Sequence, residues 1–196
     1  MPVTRPALLR LRTLPRASVA LLAAGVCLYV ASAAVAHDAR DAHGAIVRGH
    51  ATKGRYTGYP LPRFASLRSN HVNLRRGPGF RYRIDWVLHR RHLPVLIFRE
   101  FHDWRAVRLP DGTEGWIKGS LLAGRRSFVV QGKTTPLRSA PRANAGAAAW
   151  LKPGVVGRIL GCAAGSSWCR VRVDDHGGYV PRRAIWGVAP HEVIDE

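Results

Sequence analysis

Leu93–Phe101 reads LPVLIFREF and Trp104–Leu109 reads WRAVRL, separated by His102-Asp103 and followed by Pro110-Asp111-Gly112. Both runs are rich in β-branched and aromatic residues, and Pro-Asp-Gly supplies a tight turn with glycine free to take positive φ. Outward from this hairpin the same texture continues. Ala65–Arg68 and Val72–Arg76 read as brief strands around Ser69-Asn70, and Gly77-Pro78-Gly79 opens a long irregular stretch ending near His92. Trp116–Lys118 reads as another strand, Gly119–Leu122 as a single helical turn, and Ser127–Val130 as the strand that closes the unit. No segment has the apolar spacing of a useful amphipathic helix. The expected fold class is all-β.

The second half repeats the first at an offset of 63 or 64 residues. Leu74-Arg75 with Pro78 matches Leu137-Arg138 with Pro141, and Trp104–Arg108 (WRAVR) matches Trp168–Arg172 (WCRVR). Gly115-Trp116-Ile117 matches Gly178-Tyr179-Val180, and Leu121-Leu122 matches Ala184-Ile185. The boundaries read as units over 64–130 and 131–190, with an acidic tail over 191–196. Units of about 60 residues sit near the lower limit for independent folding, so mutual packing or a covalent staple would help.

The first unit resembles the bacterial SH3-like domains of exported proteobacterial proteins. Val72-Asn73-Leu74-Arg75, Gly77-Pro78-Gly79 and Asp85-Trp86-Val87 carry the likeness. It continues through Leu93-Pro94-Val95, Trp104-Arg105 and Asp111–Trp116 (DGTEGW). The second unit is similar to a divergent copy, with Pro136-Leu137-Arg138 for Asn-Leu-Arg and Tyr179 for the tryptophan. The resemblance implies two small SH3-like β-barrels in tandem and a non-catalytic adaptor or cell-wall-binding role.

Ahead of both units, Arg5, Arg10, Arg12 and Arg16 precede the uncharged run Ala17–Ala36, which ends in Ala34-Val35-Ala36 and turns polar at His37-Asp38. A basic start, an apolar centre and a small-x-small end form an export signal over 1–36, with cleavage between Ala36 and His37. The chain is then periplasmic or secreted, with no stable membrane span. An uncleaved signal, long enough to cross a bilayer, would instead anchor it in the inner membrane. Residues 37–63, with scattered Gly, Pro and charge, read as a flexible linker. The histidines His37, His43 and His50 lack the partners of a metal site.

Cleavage removes Cys27 and leaves Cys162 and Cys169 together in an oxidising compartment. Ile159-Leu160 and Arg170–Val173 look like strands of one hairpin, so the cysteines can face each other at its neck and form a disulfide. That pairing consumes Cys169, which with His176 would otherwise resemble a nucleophile and base. No serine elbow or phosphate-cradling loop is present. Asp111 and Asp174 fit turns, and Glu100 and Asp103 read as solvated strand-end charges. No catalytic constellation, metal or cofactor is expected.

Binding is the alternative. Phe80, Tyr82 and Trp86 fall in the stretch after Gly77-Pro78-Gly79, with Trp104 across from it and Arg75, Arg76, Arg91 and Arg105 interleaved. An aromatic floor with an arginine rim suits a cell-wall glycopeptide or an acidic envelope protein. Alternatively, Trp86, Trp104 and Trp116 are barrel core: the two readings weigh equally for Tyr82 and Trp104, and core suits Trp116 and Tyr179 better than a ligand does. The formal charge is +19, from 31 Lys+Arg against 12 Asp+Glu. It is spread at +8 over 64–130 and +7 over 131–190, with no concentrated basic tail or recognition helix. Nucleic acid is therefore not the expected partner. Peptidoglycan or another anionic envelope component fits better, and a periplasmic adaptor for an acidic protein or peptide is the alternative.

Overall fold

The structure is a computed structural model and describes residues 52–195. The export signal, its Ala36/His37 cleavage site and most of the linker fall outside the described residues. The rest is all-β, with no α-helix among the described residues.

The first sheet is built from β3 (Arg63–Leu67), β4 (Val72–Arg75), β5 (Ile84–Leu88), β6 (Pro94–Phe101), β7 (Trp104–Arg108), β8 (Glu114–Lys118) and β9 (Leu122–Ala123). Its order is β5-β4-β8-β7-β6-β3-β9, antiparallel throughout. Strands β6 and β7 form the hairpin expected over Leu93–Leu109. Pro94–Ile97 is buried continuously because β6 lies between β3 and β7, whereas the strand's far end alternates. At Asp111-Gly112 the chain turns as the residues demand. Gly112 has φ +90°, and the Asp111 carboxylate accepts the Thr113 N–H at 2.9 Å.

The second sheet comprises β10 (Ser127–Val130), β11 (Thr135–Arg138), β12 (Ala147–Leu151), β13 (Val156–Gly161), β14 (Trp168–Val173), β15 (His176–Pro181) and β16 (Ile185–Trp186), in the order β12-β11-β15-β14-β13-β10-β16. Strand for strand it repeats the first sheet, down to the single 3₁₀ turn before the last strand, Gly119–Leu121 in one and Arg182–Ala184 in the other. The two cores are separate and aliphatic: Leu67, Leu74, Val95, Val107 and Ile117 in the first, Leu137, Ile159, Val171, Val180 and Ile185 with Phe128 in the second. Gly115 and Gly178 occupy equivalent places. A Cβ there would stand 2.6 Å from Leu74 Cγ in the first unit and 2.6 Å from the Arg138 carbonyl oxygen in the second. Trp116 and Tyr179, expected in the core, are only half-buried and lie outside both clusters; Arg99 stacks over Trp116 at 5.6 Å.

Four boundaries differ from the sequence expectation. Ser127–Val130 does not close the first unit but pairs with β13 and β16 of the second; four apolar-rich residues midway between two repeats do not say which sheet takes them. Ile84–Leu88, read as irregular, is the edge strand β5, paired with β4 and exposed along most of its length. The linker expected over 37–63 is folded from residue 52 onward. β1 (Thr52–Lys53) and β2 (Pro60–Leu61) form a hairpin, and Leu61 enters the first core. The acidic tail is not free either. Glu192 pairs with Arg126, and Ile194 exchanges backbone hydrogen bonds with Cys162 at 2.9 and 3.1 Å. The last two differences have one cause: the anchoring partners are long-range and leave no local pattern.

Each unit has its own staple. Cys162 and Cys169 form the expected disulfide, with Cα atoms 4.4 Å apart across the bulged β13–β14 pair. The first unit has no cysteine and uses a buried carboxylate. Glu100, expected to be solvated, has a side chain only 1% exposed. It accepts hydrogen bonds from Arg63 Nη2 (2.8 Å), Thr57 Oγ1 (2.6 Å) and the Thr57 N–H (3.1 Å), and Arg105 Nε lies 3.6 Å away. Desolvation pushes its pKa up, but the Thr57 and Arg63 hydrogen bonds together with the charges of Arg63 and Arg105 outweigh this and hold it below the ordinary glutamate value.

Candidate functional site

The loop between β4 and β5 carries the aromatic residues, and Arg75 at the end of β4 shapes it. Its Nη1 donates to the carbonyl oxygens of Tyr82 at 2.8 Å and Phe80 at 3.1 Å, closing the loop back on its own root. Gly77 is required here, since a Cβ would stand 2.4 Å from the Tyr82 ring. Tyr82 therefore covers the loop's backbone, with Arg81 over its ring at 5.3 Å.

Phe80 is turned the other way. It is 68% exposed and meets Trp104 edge-to-face, with ring centroids 5.2 Å apart and planes at 78°. Two cations flank it: Lys118 Nζ at 5.1 Å and the Arg75 guanidinium at 5.6 Å from the ring centroid. Trp104, at 8% exposure, forms the floor, and pairing of Trp104 with Lys118 across β7 and β8 places that lysine beside it. A lone exposed phenylalanine is ordinary on a protein surface. A phenylalanine held against a buried tryptophan between two cations is a built platform. It suits the apolar face of a sugar or peptide that carries negative charge nearby.

The structure thus brings Arg75, Phe80 and Trp104 together and sets Tyr82 at the loop's root. The other expected site residues lie elsewhere. Trp86 stands on β5 at 60% exposure and shares no ring contact with the pair among the described residues. Arg76 lies 3.5 Å from Asp85, whose pKa is lowered chiefly by the hydrogen bond from Arg83. Arg105 turns inward, donating to the His102 and Trp104 carbonyls at 2.6 and 2.9 Å and facing Glu100, so it supports the fold and not a rim. Arg91 lines a different cleft, with Arg90 and His92. Lys118 was missed by sequence reasoning; its signal was its place opposite Trp104, which only strand register reveals. Cys169 carries no free thiolate, because its sulfur is in the disulfide.

Two repeated seven-stranded antiparallel sheets, each with a 3₁₀ turn before its last strand, have the build of a tandem of SH3-like domains. The chain belongs to the bacterial SH3 domain family, a family of binding domains, which matches it twice, over residues 68–124 and 131–187. No curated protein matches it. Among solved structures it is similar to NlpC2 from Trichomonas vaginalis, at 15% identity and a TM-score of 0.30 over 65% of this chain and 49% of that one. NlpC1 from the same organism matches at 16% identity and a TM-score of 0.30, over 67% of this chain and 48% of that one. The chain spans about half the length of these two proteins, and at that TM-score the likeness carries no argument about function. No helix among the described residues is long and apolar enough to cross a membrane.

Proposed function

We propose that this protein is an exported, non-catalytic binding module that recognises peptidoglycan or another anionic component of the cell envelope through the first unit. The observation that carries the reading is the Phe80–Trp104 pair flanked by Arg75 and Lys118. Stacking on a sugar or peptide face supplies affinity, and the cations select a carboxylate-bearing ligand. Export is supported by the basic-apolar-small pattern of residues 1–36 and by the disulfide, which persists in an oxidising compartment.

Co-sedimentation with purified insoluble peptidoglycan tests the reading. Pelleting at low salt that weakens as salt rises is expected, because exposed cations are screened beyond about 8 Å at physiological ionic strength. Absence of pelleting at low salt would reject it. Retention of an acidic envelope protein in place of the wall would favour the adaptor role.

A further inference from the structure

A second cleft, of about 470 Å³, lies between the loop after β5 and the β13–β14 hairpin. Arg90, Arg91 and His92 line it from the first unit, Arg125 from the connection between the units, and Arg158 and Arg172 from the second unit. Against these five arginines the lining holds one acid, Asp174.

Three observations separate this cleft from an ordinary solvated basic face. Arg158 and Arg172 are direct cross-strand partners in β13 and β14, an arrangement of like charges that costs stability. None of the five guanidiniums has a hydrogen-bond or ion-pair partner among the described residues. The loop that presents Arg90 and Arg91 is also fixed in place. The Arg91 N–H donates to Asn70 Oδ1 at 2.7 Å, the His92 N–H donates to the Leu67 carbonyl at 2.9 Å, and His92 is held at φ +66°.

His92 reports the potential in the cleft. Its Nδ1 is buried with no hydrogen-bond partner. Desolvation lowers its pKa first, and the charges of Arg125 and Arg91 lower it further. Burial and the uncompensated cations around it both favour the neutral imidazole.

We propose that this cleft is an oxyanion site for a di- or polyphosphate group, with the paired guanidiniums of Arg158 and Arg172 as its base and Arg90, Arg91 and Arg125 as its rim. Opposed strand positions bring two guanidiniums within reach of one tetrahedral group, and each fork matches two of its oxygens. A carboxylate brings one charge per group. Linked phosphates bring several in the same space, which is what five unpartnered cations in one cleft require. The site shares no residue with the Phe80 platform and stands or falls separately from the wall-binding reading.

Isothermal titration of the full chain with inorganic pyrophosphate at low salt is expected to show one site. R158Q/R172Q is expected to weaken binding at least tenfold, while the charge-matched R142Q/R183Q, outside the cleft lining, retains it. Removing two opposed like charges also predicts that R158Q/R172Q is at least as heat-stable as the parent, so loss of binding would not reflect unfolding. No pyrophosphate binding, equal loss in both double variants, or tighter binding of citrate than of pyrophosphate would each overturn the proposal. Peptidoglycan pelleting with no pyrophosphate binding would overturn it and leave the proposed function intact. Vesicles containing phosphatidylglycerol distinguish the source of the phosphate. Co-sedimentation that R158Q/R172Q abolishes assigns it to a lipid headgroup; pyrophosphate binding without co-sedimentation assigns it to a soluble or polymer-borne group.

Discussion

The two loops that follow β4 and β11 are built on one frame and decorated for different ends. Arg75 and Arg138 stand at equivalent positions, and each closes its loop by donating to a carbonyl at the far side, that of Tyr82 at 2.8 Å and of Ala145 at 2.6 Å. At the 63-residue offset, Tyr82 corresponds to Ala145, Phe80 to Ala143 and Lys118 to Pro181, while Trp104 has its counterpart one residue further on, in Trp168. The second loop therefore keeps its closure and its tryptophan but lacks the exposed ring and its lysine. The parts that hold the loop closed survive in both copies; the exposed ring and its lysine occur in the first loop alone. The family likeness covers both units, and the side chains at the loop tip are where these two loops part.

The comparison can be broken first at the shared glycines. Gly178→Ala places a methyl 2.6 Å from a backbone oxygen, and Gly115→Ala places one 2.6 Å from the Leu74 side chain and 3.0 Å from the equivalent backbone oxygen, that of Arg75. Gly178→Ala is expected to cost about 3 kcal/mol and Gly115→Ala less, in the range of overpacked cores. Chemical denaturation checks the order, and equal costs would mean that Leu74 yields no more readily than a backbone carbonyl. The staples come next. Reducing Cys162–Cys169, which closes an eight-residue loop, should destabilise the second unit by about 2.5 kcal/mol in the chain-entropy description. Intact mass should rise by about two daltons on reduction, one hydrogen per sulfur.

Glu100→Gln should destabilise the first unit by about 2 kcal/mol, because it removes a charged acceptor from Arg63 and Thr57 in a buried setting. The same network predicts a pH dependence confined to acid. Since the folded pKa of Glu100 is lowered from 4.5, its contribution is fully present above that value and is lost as pH falls through the folded pKa. Amide exchange in the 52–61 hairpin should rise there before exchange in β13–β14 does. The smallest effect on stability, and the sharpest on the comparison, is expected from Phe80→Ala. It should change the unfolding free energy by only about 1 kcal/mol, the scale of one edge-to-face ring pair at an exposed site, yet weaken wall co-sedimentation several-fold. Asn144→Ala, at an exposed position of the second loop, should do neither.

Much of this was legible in the residues. Short runs rich in β-branched and aromatic residues, the Pro110-Asp111-Gly112 turn and the internal offset pointed to the fold class and the repeat, because hairpin pairing and turn chemistry are local. The cysteine pair was legible for the same reason. Glu100 was not: its partners Thr57 and Arg63 lie 43 and 37 residues away, and a carboxylate between a strand's arginine and phenylalanine looks solvated until they arrive. The ligand platform was half legible. Residue types picked out Arg75, Phe80 and Trp104, but Lys118 needed the register of β7 against β8. Arg105 could not be told from a rim arginine without knowing that its side chain turns to Glu100. Arg91 belonged to a cleft made by residues from both halves of the chain, which no local pattern displays.

The connection between the two sheets is short. Only Gly124–Arg126 separates β9 from β10, and Arg126 is engaged on both sides, donating to Glu192 and the Gly187 carbonyl while its guanidinium lies 5.9 Å from the Phe64 ring centroid. Phe64 in turn meets Trp186 edge-on at 4.9 Å. A tether this short and this occupied has little slack to surrender. Were one anionic polymer to engage both the Phe80 platform and the arginine cleft proposed above, the second contact would form at a local concentration set by this short tether and not by diffusion, and two weak contacts would act as a single strong one.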